Sequence, residues 1–346
     1  MHVFSASDAV SPAIERTKRY LFRPFEWGTY LKLAAVACVT EGISLNFNYS
    51  YHGGFSSATD STSLPMSSFS GGWVVLIAAV VVLAIVAGAI LFYLVTRLRF
   101  AFFHCLVHQT KEIRPGWAMY RAQSMRFFLA SLVVGLIFLV IVVLAVLPFA
   151  FAIYGFVQSS NDGGQFDPSR FLLLFLPLMG IVLLICLIGY ALEVVLHDFI
   201  LPHMALENLS FSQAWTAVRS RIAAETGSFA AYFFLRLVLV IVAEIAVLLI
   251  AAIPMLIILG IFAMSAYGFN SVLEDAIGAL AFLRVGLDVL LAIVGVGLVL
   301  VVAFTLGGPV ATWLRNYALL FYGGRYRVLG DILYPPPPPP PAELRT

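Results

Sequence analysis

The chain is poor in charge, in cysteine and in catalytic signatures, and each shortage excludes something. Charged residues make up 11% of the 346 residues and hydrophobic residues 62%. A soluble domain lies nearer ~25% and ~45–50%, so the apolar surplus cannot be hidden in an ordinary core. Lipid must be the solvent for much of the surface. The three cysteines, Cys38, Cys105 and Cys186, fall in or beside apolar runs and form no CxxC pair. They read as small buried hydrophobes rather than as a disulfide or metal framework. There is no Walker loop, no G-x-G-x-x-G fingerprint in a strand context and no G-x-S-x-G elbow. Polar stretches reach only about 30 residues, which leaves no room for a soluble catalytic domain or a folded nucleic-acid module. No cofactor, no metal and no nucleic-acid partner is expected.

What is present is a series of long apolar runs. Six of them, near 29–45, 73–96, 127–156, 171–196, 229–262 and 276–308, approach or exceed the 18 residues or so that cross ~30 Å of hydrocarbon. The first is short and is interrupted by Glu41. Residues 1–28 lack the apolar centre of a cleavable leader, so the first run is expected to serve as an uncleaved anchor.

Charge is distributed unevenly along this series. Arg16, Lys18, Arg19, Arg23 and Lys32 precede or enter span 1. Arg97, Arg99, Lys111, Arg114, Arg121 and Arg126 lie between spans 2 and 3, Arg219 and Arg221 between spans 4 and 5, and Arg315, Arg325, Arg327 and Arg345 after span 6. The alternate loops hold only Arg170, beside Asp60, Asp162, Asp167, Glu274 and Asp275. Basic loops stay cytoplasmic. The pattern therefore predicts a multi-pass protein of the cytoplasmic membrane with both termini inside and an even number of spans.

The basic segments resemble one another. Residues 99–121 can be laid over 197–219, placing Trp117 on Trp215 and Arg121 on Arg219. Residues 126–156 align without a gap on 232–262, placing Pro148 on Pro254. Near the start, Ser11-Pro12 reads as a helix cap followed by a first-turn proline. Val10, Ile14, Thr17, Leu21 and Phe25 then recur at helical spacing among basic residues. Such a basic amphipathic helix suits the headgroup layer of an anionic membrane. Ser210 and Gln213 form a capping box ahead of a similar helix. The expected fold is all-α, with six transmembrane helices and cytoplasmic interfacial amphipathic helices. Its internal repeat is threefold: an interfacial helix, a span out and a span back. The units lie near 8–98, 99–196 and 197–320 of a single membrane domain, 1–333. Residues 334–346 form a tail whose seven prolines, Pro335 to Pro341, make a stiff polyproline II rod.

Five charged residues fall inside the later spans: Glu193, Arg236, Glu244, Arg284 and Asp288. Ionised groups at such depth cost several kcal/mol unless they are paired or hydrated. Depth matching pairs Glu193 with Arg236, and Glu244 with Arg284 and Asp288. The set reads as interhelical ion pairs fixing helix register, as a solute or proton path, or as contacts to lipid headgroups. A weaker interfacial set consists of His104 and His108, four apart, with His197, Asp198 and His203. A metal cluster could be drawn from these, but no HExxH is present. Histidines donating to carbonyls or headgroups explain them as well.

The N-terminal SASDAVSPAIERTKRYLFRPFEWGTYLKLA resembles the start of uncharacterised multi-pass proteins of bacteria and archaea. These are similar to the membrane domain attached to some glycerophosphodiester phosphodiesterases. DFILPHMALENLSFSQAW carries that group's pattern at Asp198, Phe199, Pro202, Met204, Leu206, Ser210, Ala214 and Trp215. The resemblance implies a six-span helical fold and no activity, since the phosphodiesterase barrel itself is absent. The functional expectation is a non-enzymatic membrane scaffold or accessory subunit. Its partners would be anionic lipid headgroups and other membrane proteins. A transporter using the charges of spans 4 to 6 is the alternative, and a membrane-embedded enzyme comes third.

Overall fold

A computed structural model of the chain describes residues 4–42, 71–161, 168–272 and 279–335, and among them every regular element is helical. In chain order these are α1 (Val10–Phe22), α2 (Trp27–Glu41), α3 (Gly71–His108), α4 (Arg114–Met119), α5 (Arg121–Asn161) and α6 (Pro168–Val194). A π-helical turn (Val195–Ile200) leads into α7 (Leu201–Leu206), then α8 (Phe211–Ala224), α9 (Thr226–Val272), α10 (Ala279–Gly323) and α11 (Arg327–Leu333).

Among the described residues five helices are long and apolar enough to cross a membrane: Val75–His108, Arg121–Phe156, Phe171–Leu206, Thr226–Gly268 and Val285–Gly323. The first expected span, near 29–45, corresponds in its described part to α2. Its 15 residues rise only ~22 Å, and residues 43–70, where the span was expected to end, lie outside the described residues. Of the outer loops expected between these spans, 46–70, 162–167 and 273–275 also lie outside the described residues, as does the tail beyond Pro335, whereas 157–161, 168–170 and 264–272 continue the long helices in place of loop.

The chain divides into two compact units. The first comprises Met1–Asp8, Ala118–Leu235 and Ala318–Thr346. Its core is aromatic and lies at the basic ends of its helices. Phe199 stands at the centre, edge-on to Phe229 at 5.2 Å and tilted against Tyr232 at 5.5 Å and Tyr322 at 4.9 Å. Tyr232 stacks on Phe321 at 4.2 Å. Aromatic pairs in such edge and offset arrangements add about 0.5–1.5 kcal/mol each beyond the area they bury. Away from this core, α5 from Leu129 and α6 up to Glu193 present their large apolar side chains outward.

The second unit comprises Ala9–Trp117 and Arg236–Tyr317. Here α3 shows the same division most clearly. From Val75 to Val95 its side chains are mostly exposed, and from Phe100 to Val107 nearly all are buried. The exposed stretch rises ~31 Å, about the thickness of the hydrocarbon layer. The helix runs on past the expected end at 96 because nothing stops it before Gln109, whose φ of 54° turns the chain. Thr110 N–H then reaches back to the Cys105 carbonyl at 3.0 Å, closing the helix end.

α1 departs from expectation in two ways. It starts at Val10 with Ala9 as its cap residue and no side-chain cap, so Ser11 and Pro12 sit inside the first turn. Proline is tolerated there because first-turn N–H groups have no helical acceptor. Its apolar stripe is also turned partly toward protein. Thr17 and Leu21 are buried, as are Ala13 and Tyr20 beside them, while Ile14, Phe22 and Phe25 remain exposed. Tyr20 donates to the Thr110 carbonyl at 3.0 Å, and Asn316 donates to Thr17 Oγ1 at 2.9 Å. Burial holds the Tyr20 phenol well above its ordinary pKa range, so it remains a donor. The capping box of α8 forms as expected: Gln213 N–H donates to Ser210 Oγ, and Ser210 N–H to Gln213 Oε1. Of the cysteines, Cys38 and Cys105 are buried, while Cys186 is exposed on α6.

Two glycines mark close backbone approaches in the second unit. A Cβ on Gly308 of α10 would stand 2.6 Å from Ala34 Cα in α2. On Gly116 of α4 it would stand 3.0 Å from Ala101 Cα in α3. Small residues at such crossings let helix backbones approach closely in membrane proteins. Gly308→Val should therefore destabilise the fold by about 1–3 kcal/mol or more. Denaturant unfolding in detergent would show it as a lowered midpoint, whereas Gly286→Ala, in open space, should leave the midpoint nearly unchanged.

Candidate functional site

The candidate residues fall into two clusters, one in each unit. The first is built on the bend between α6 and α7. Proline has no N–H, and its ring crowds the carbonyl four residues back, here that of Asp198. The helix widens just ahead of Pro202 to accommodate it. Leu201 N–H donates to the Leu196 carbonyl, five residues back, the spacing of a π turn. The extra residue re-aims the segment so that Asp198, Phe199 and His203 are all at most 1% exposed.

Asp198 and His203 each meet a partner. Tyr232 OH donates to Asp198 Oδ2 at 2.8 Å. His203 Nδ1 lies 3.2 Å from Glu207 Oε2, and its Nε2 lies 2.8 Å from Tyr322 OH and in contact with Arg221 Nη1. A guanidinium can only donate. Nε2 is therefore an acceptor, and the ring proton sits on Nδ1, where Glu207 accepts it. Arg221 Nη1 also donates to Tyr322 OH at 3.2 Å, and its guanidinium lies 5.0 Å from the centre of the Tyr326 ring. Burial, and after it the Glu207 carboxylate, push the Tyr326 phenol far above its ordinary pKa range. The Tyr326 ring also covers His203 at 4.1 Å. The imidazole is thus enclosed by protein on both nitrogens and on one face. This arrangement ties α7, α8, the end of α10 and α11 together, and it offers a reactant no open coordination position.

The second cluster gathers on the last turn of α2, where the carbonyls carry the negative end of the helix dipole. Arg99 Nε from α3 donates to the Thr40 carbonyl at 2.6 Å. Glu41 is approached by Arg236 of α9 at 3.9 Å and by Arg315 of α10 at 3.8 Å. Both arginines are buried, Arg315 to 2% exposure. Nearby on α3, Arg97 donates to the Trp117 carbonyl at 3.0 Å and lies 4.4 Å over the Trp117 ring.

Depth matching did not foresee this assignment. Arg236 takes Glu41 of α2 as a partner. Glu193 is exposed at the end of α6 and lies 3.7 Å from His197 Nδ1. Glu244 is half-buried on α9, within electrostatic reach of Cys38 on α2. Asp288 is half-buried on α10. The side chain of Arg284 lies outside the described residues, and its expected pairing with it. The His104 and His108 rings lie tilted against each other on α3 at 4.5 Å, and His197 packs against Phe127 at 5.9 Å. Among the described residues no group of three or more His, Cys, Asp or Glu is placed to hold a metal ion.

A family model matches residues 4–332 and describes a family of unknown function, DUF7544. The chain belongs to this family. Membership confirms an uncharacterised family across nearly the whole chain. It shows no link to the membrane domain of the glycerophosphodiester phosphodiesterases. No curated protein and no solved structure matches the chain.

The family name brings no site, so the residues that matter are those the geometry selects. Sequence reasoning missed Arg221, Tyr232, Tyr322, Tyr326, Arg99 and Arg315 as partners. The tyrosines at Tyr317, Tyr322 and Tyr326, crowded beside Arg315, Arg325 and Arg327, were the available signal. Tyr322→Phe should cost about 1–3 kcal/mol by leaving His203 and Arg221 short of a partner. Its effect should be less than additive with His203→Phe in a double-mutant cycle of unfolding free energies. Glu41→Gln should cost about 3–5 kcal/mol, because two buried guanidinium groups lose their carboxylate.

Proposed function

We propose that the chain is a non-enzymatic module of the cytoplasmic membrane, acting as a scaffold or an accessory subunit of a larger membrane assembly. The observation that carries this reading is that the buried charges are consumed by the fold. Arg221 meets His203 and Tyr322, Arg236 and Arg315 meet Glu41, and Arg97 and Arg99 meet backbone carbonyls. These contacts fix one helix against another within each unit, which is the work of a rigid platform. The outward apolar faces of α3, α5, α6, α9 and α10 are what lipid and neighbouring membrane helices would cover.

The same proposal includes six spans, with both termini in the cytoplasm. It is supported by the five long helices and by the basic loops on one side. A repeated unit of interfacial helix and two spans is supported by the matched segments 99–121 and 197–219. Each holds a long-helix end followed by a left-handed residue nearby, Gln109 at φ 54° and Asn208 at φ 53°.

The scaffold reading is tested against transport with Glu244→Gln. In proteoliposomes loaded with a pH-sensitive dye, the unaltered chain should dissipate a proton gradient no faster than empty vesicles. Glu244→Gln should leave that rate unchanged while lowering the unfolding midpoint. Rapid dissipation that is lost in a normally folded Glu244→Gln protein would establish the proton-path reading instead.

A further inference from the structure

Two apolar cavities in the second unit share a wall. One, of about 310 Å³, runs between α9 and α10 and is lined by Leu239, Ala243, Ala246, Val247, Leu306 and Trp313. The other, of about 280 Å³, lies between α1 and α10 against Ile14, Lys18, Phe22, Pro309 and Trp313. Trp313 and Val310 border both. Each volume is near the lower end of the range for small-ligand sites.

Three features of these cavities point to the same occupant. The α9/α10 cavity opens among side chains of spanning helices, where the surrounding solvent is hydrocarbon. A void there forfeits its dispersion contacts unless a flexible apolar chain fills it. The α1 cavity is rimmed by Lys18, an exposed cation with no carboxylate within 4 Å among the described residues, whereas its neighbour Arg19 is paired with Glu15 at 3.3 Å. Trp313 lines both, and its Nε1 donor is buried and has no acceptor among the described residues. Apolar clefts, an unpartnered ring N–H and an exposed cation thus adjoin one another, the groups that would meet a phospholipid's acyl chain, ester and phosphate.

We propose that the second unit holds one anionic glycerophospholipid. An acyl chain fills the α9/α10 cleft, an ester carbonyl accepts from Trp313, and the phosphate faces Lys18. This rests on the reading of the chain as a membrane protein and adds to it a defined lipid site on the platform. Lys18, at the edge of an amphipathic helix whose apolar face is already partly engaged by protein, keeps its ammonium in the headgroup layer.

The test uses the full chain in phosphatidylcholine vesicles containing a small fraction of phosphatidylglycerol brominated in mid-chain, with tryptophan fluorescence as the readout. Quenching should saturate at low phosphatidylglycerol content, and Trp313→Phe should remove most of the saturable part. Lys18→Gln should weaken the apparent affinity about fivefold, the worth of one lysine near an anionic surface. Ala246→Phe, which fills the cleft, should abolish saturation while the helical circular dichroism is unchanged. Lys18 is exposed, so its variant keeps the test decisive if the cleft variant misfolds. Equal, non-saturating quenching by brominated phosphatidylcholine and phosphatidylglycerol, unchanged in Lys18→Gln, would overturn the lipid site and leave the membrane reading standing. Failure of the chain to enter vesicles at all would overturn both.

Discussion

A charge withdrawn from water must take its compensation with it, and this constraint shapes both units. Near hydrocarbon an unpaired guanidinium costs several kcal/mol, and the chain meets that cost with whatever negative potential a helix end offers. The last turn of α2 supplies open carbonyls and the Glu41 carboxylate together, so Arg99, Arg236 and Arg315 converge on it from three other helices. The cluster is also a joint, because each arginine can reach its partner in only one arrangement of α2, α3, α9 and α10. Gly308 against Ala34 makes the same joint sterically possible, since a side chain there would hold α10 off α2 and lengthen distances already near 4 Å.

In the first unit the same constraint is met with neutral hydrogen-bonding groups and aromatic rings. His203 has no carboxylate closer than Glu207, and Arg221 shares it with Tyr322. Tyrosine suits this role because it brings a hydroxyl to the polar group and a ring to the surrounding core. Tyr232 does so for Asp198, and Tyr322 does so for His203 and Arg221. The π turn before Pro202 makes this packing possible, since without the extra residue the same segment could not bury Asp198, Phe199 and His203 at once. Irregular helix of this kind is frequent at functional sites. Here its observable consequence is burial, and a histidine 1% exposed serves the fold.

The long helices were legible because their signal is additive. Hydropathy summed over twenty residues tolerates an error at any one of them, so α3, α5, α6, α9 and α10 could be read from composition alone. The capping box at Ser210 and Gln213 was legible because its chemistry closes within four residues. Partner choice was not. Depth along a span follows from counting, but which helix stands beside it does not, and Arg236 therefore went to Glu193 on paper and to Glu41 in the structure. The amphipathic stripe of α1 was real, yet periodicity cannot distinguish a face turned to lipid from a face turned to protein. Asn316 on Thr17 and Thr110 beneath Tyr20 decide it, and both partners lie some ninety or more residues away in the chain.

The distribution of burial bears on what such a fold is for. A helix that only had to cross the membrane would end near the hydrocarbon boundary. α3 instead carries about 31 Å of exposed apolar helix and then continues through Phe100, Phe102 and Phe103 into a packed layer. In that layer the side chains are interlocked, with aromatic stacks, caps and ion pairs, while the outer stretches have little beyond hydrocarbon to hold them. The proposed scaffold would use this division, the packed end keeping a fixed face while the exposed apolar stretches are covered by lipids or neighbouring helices.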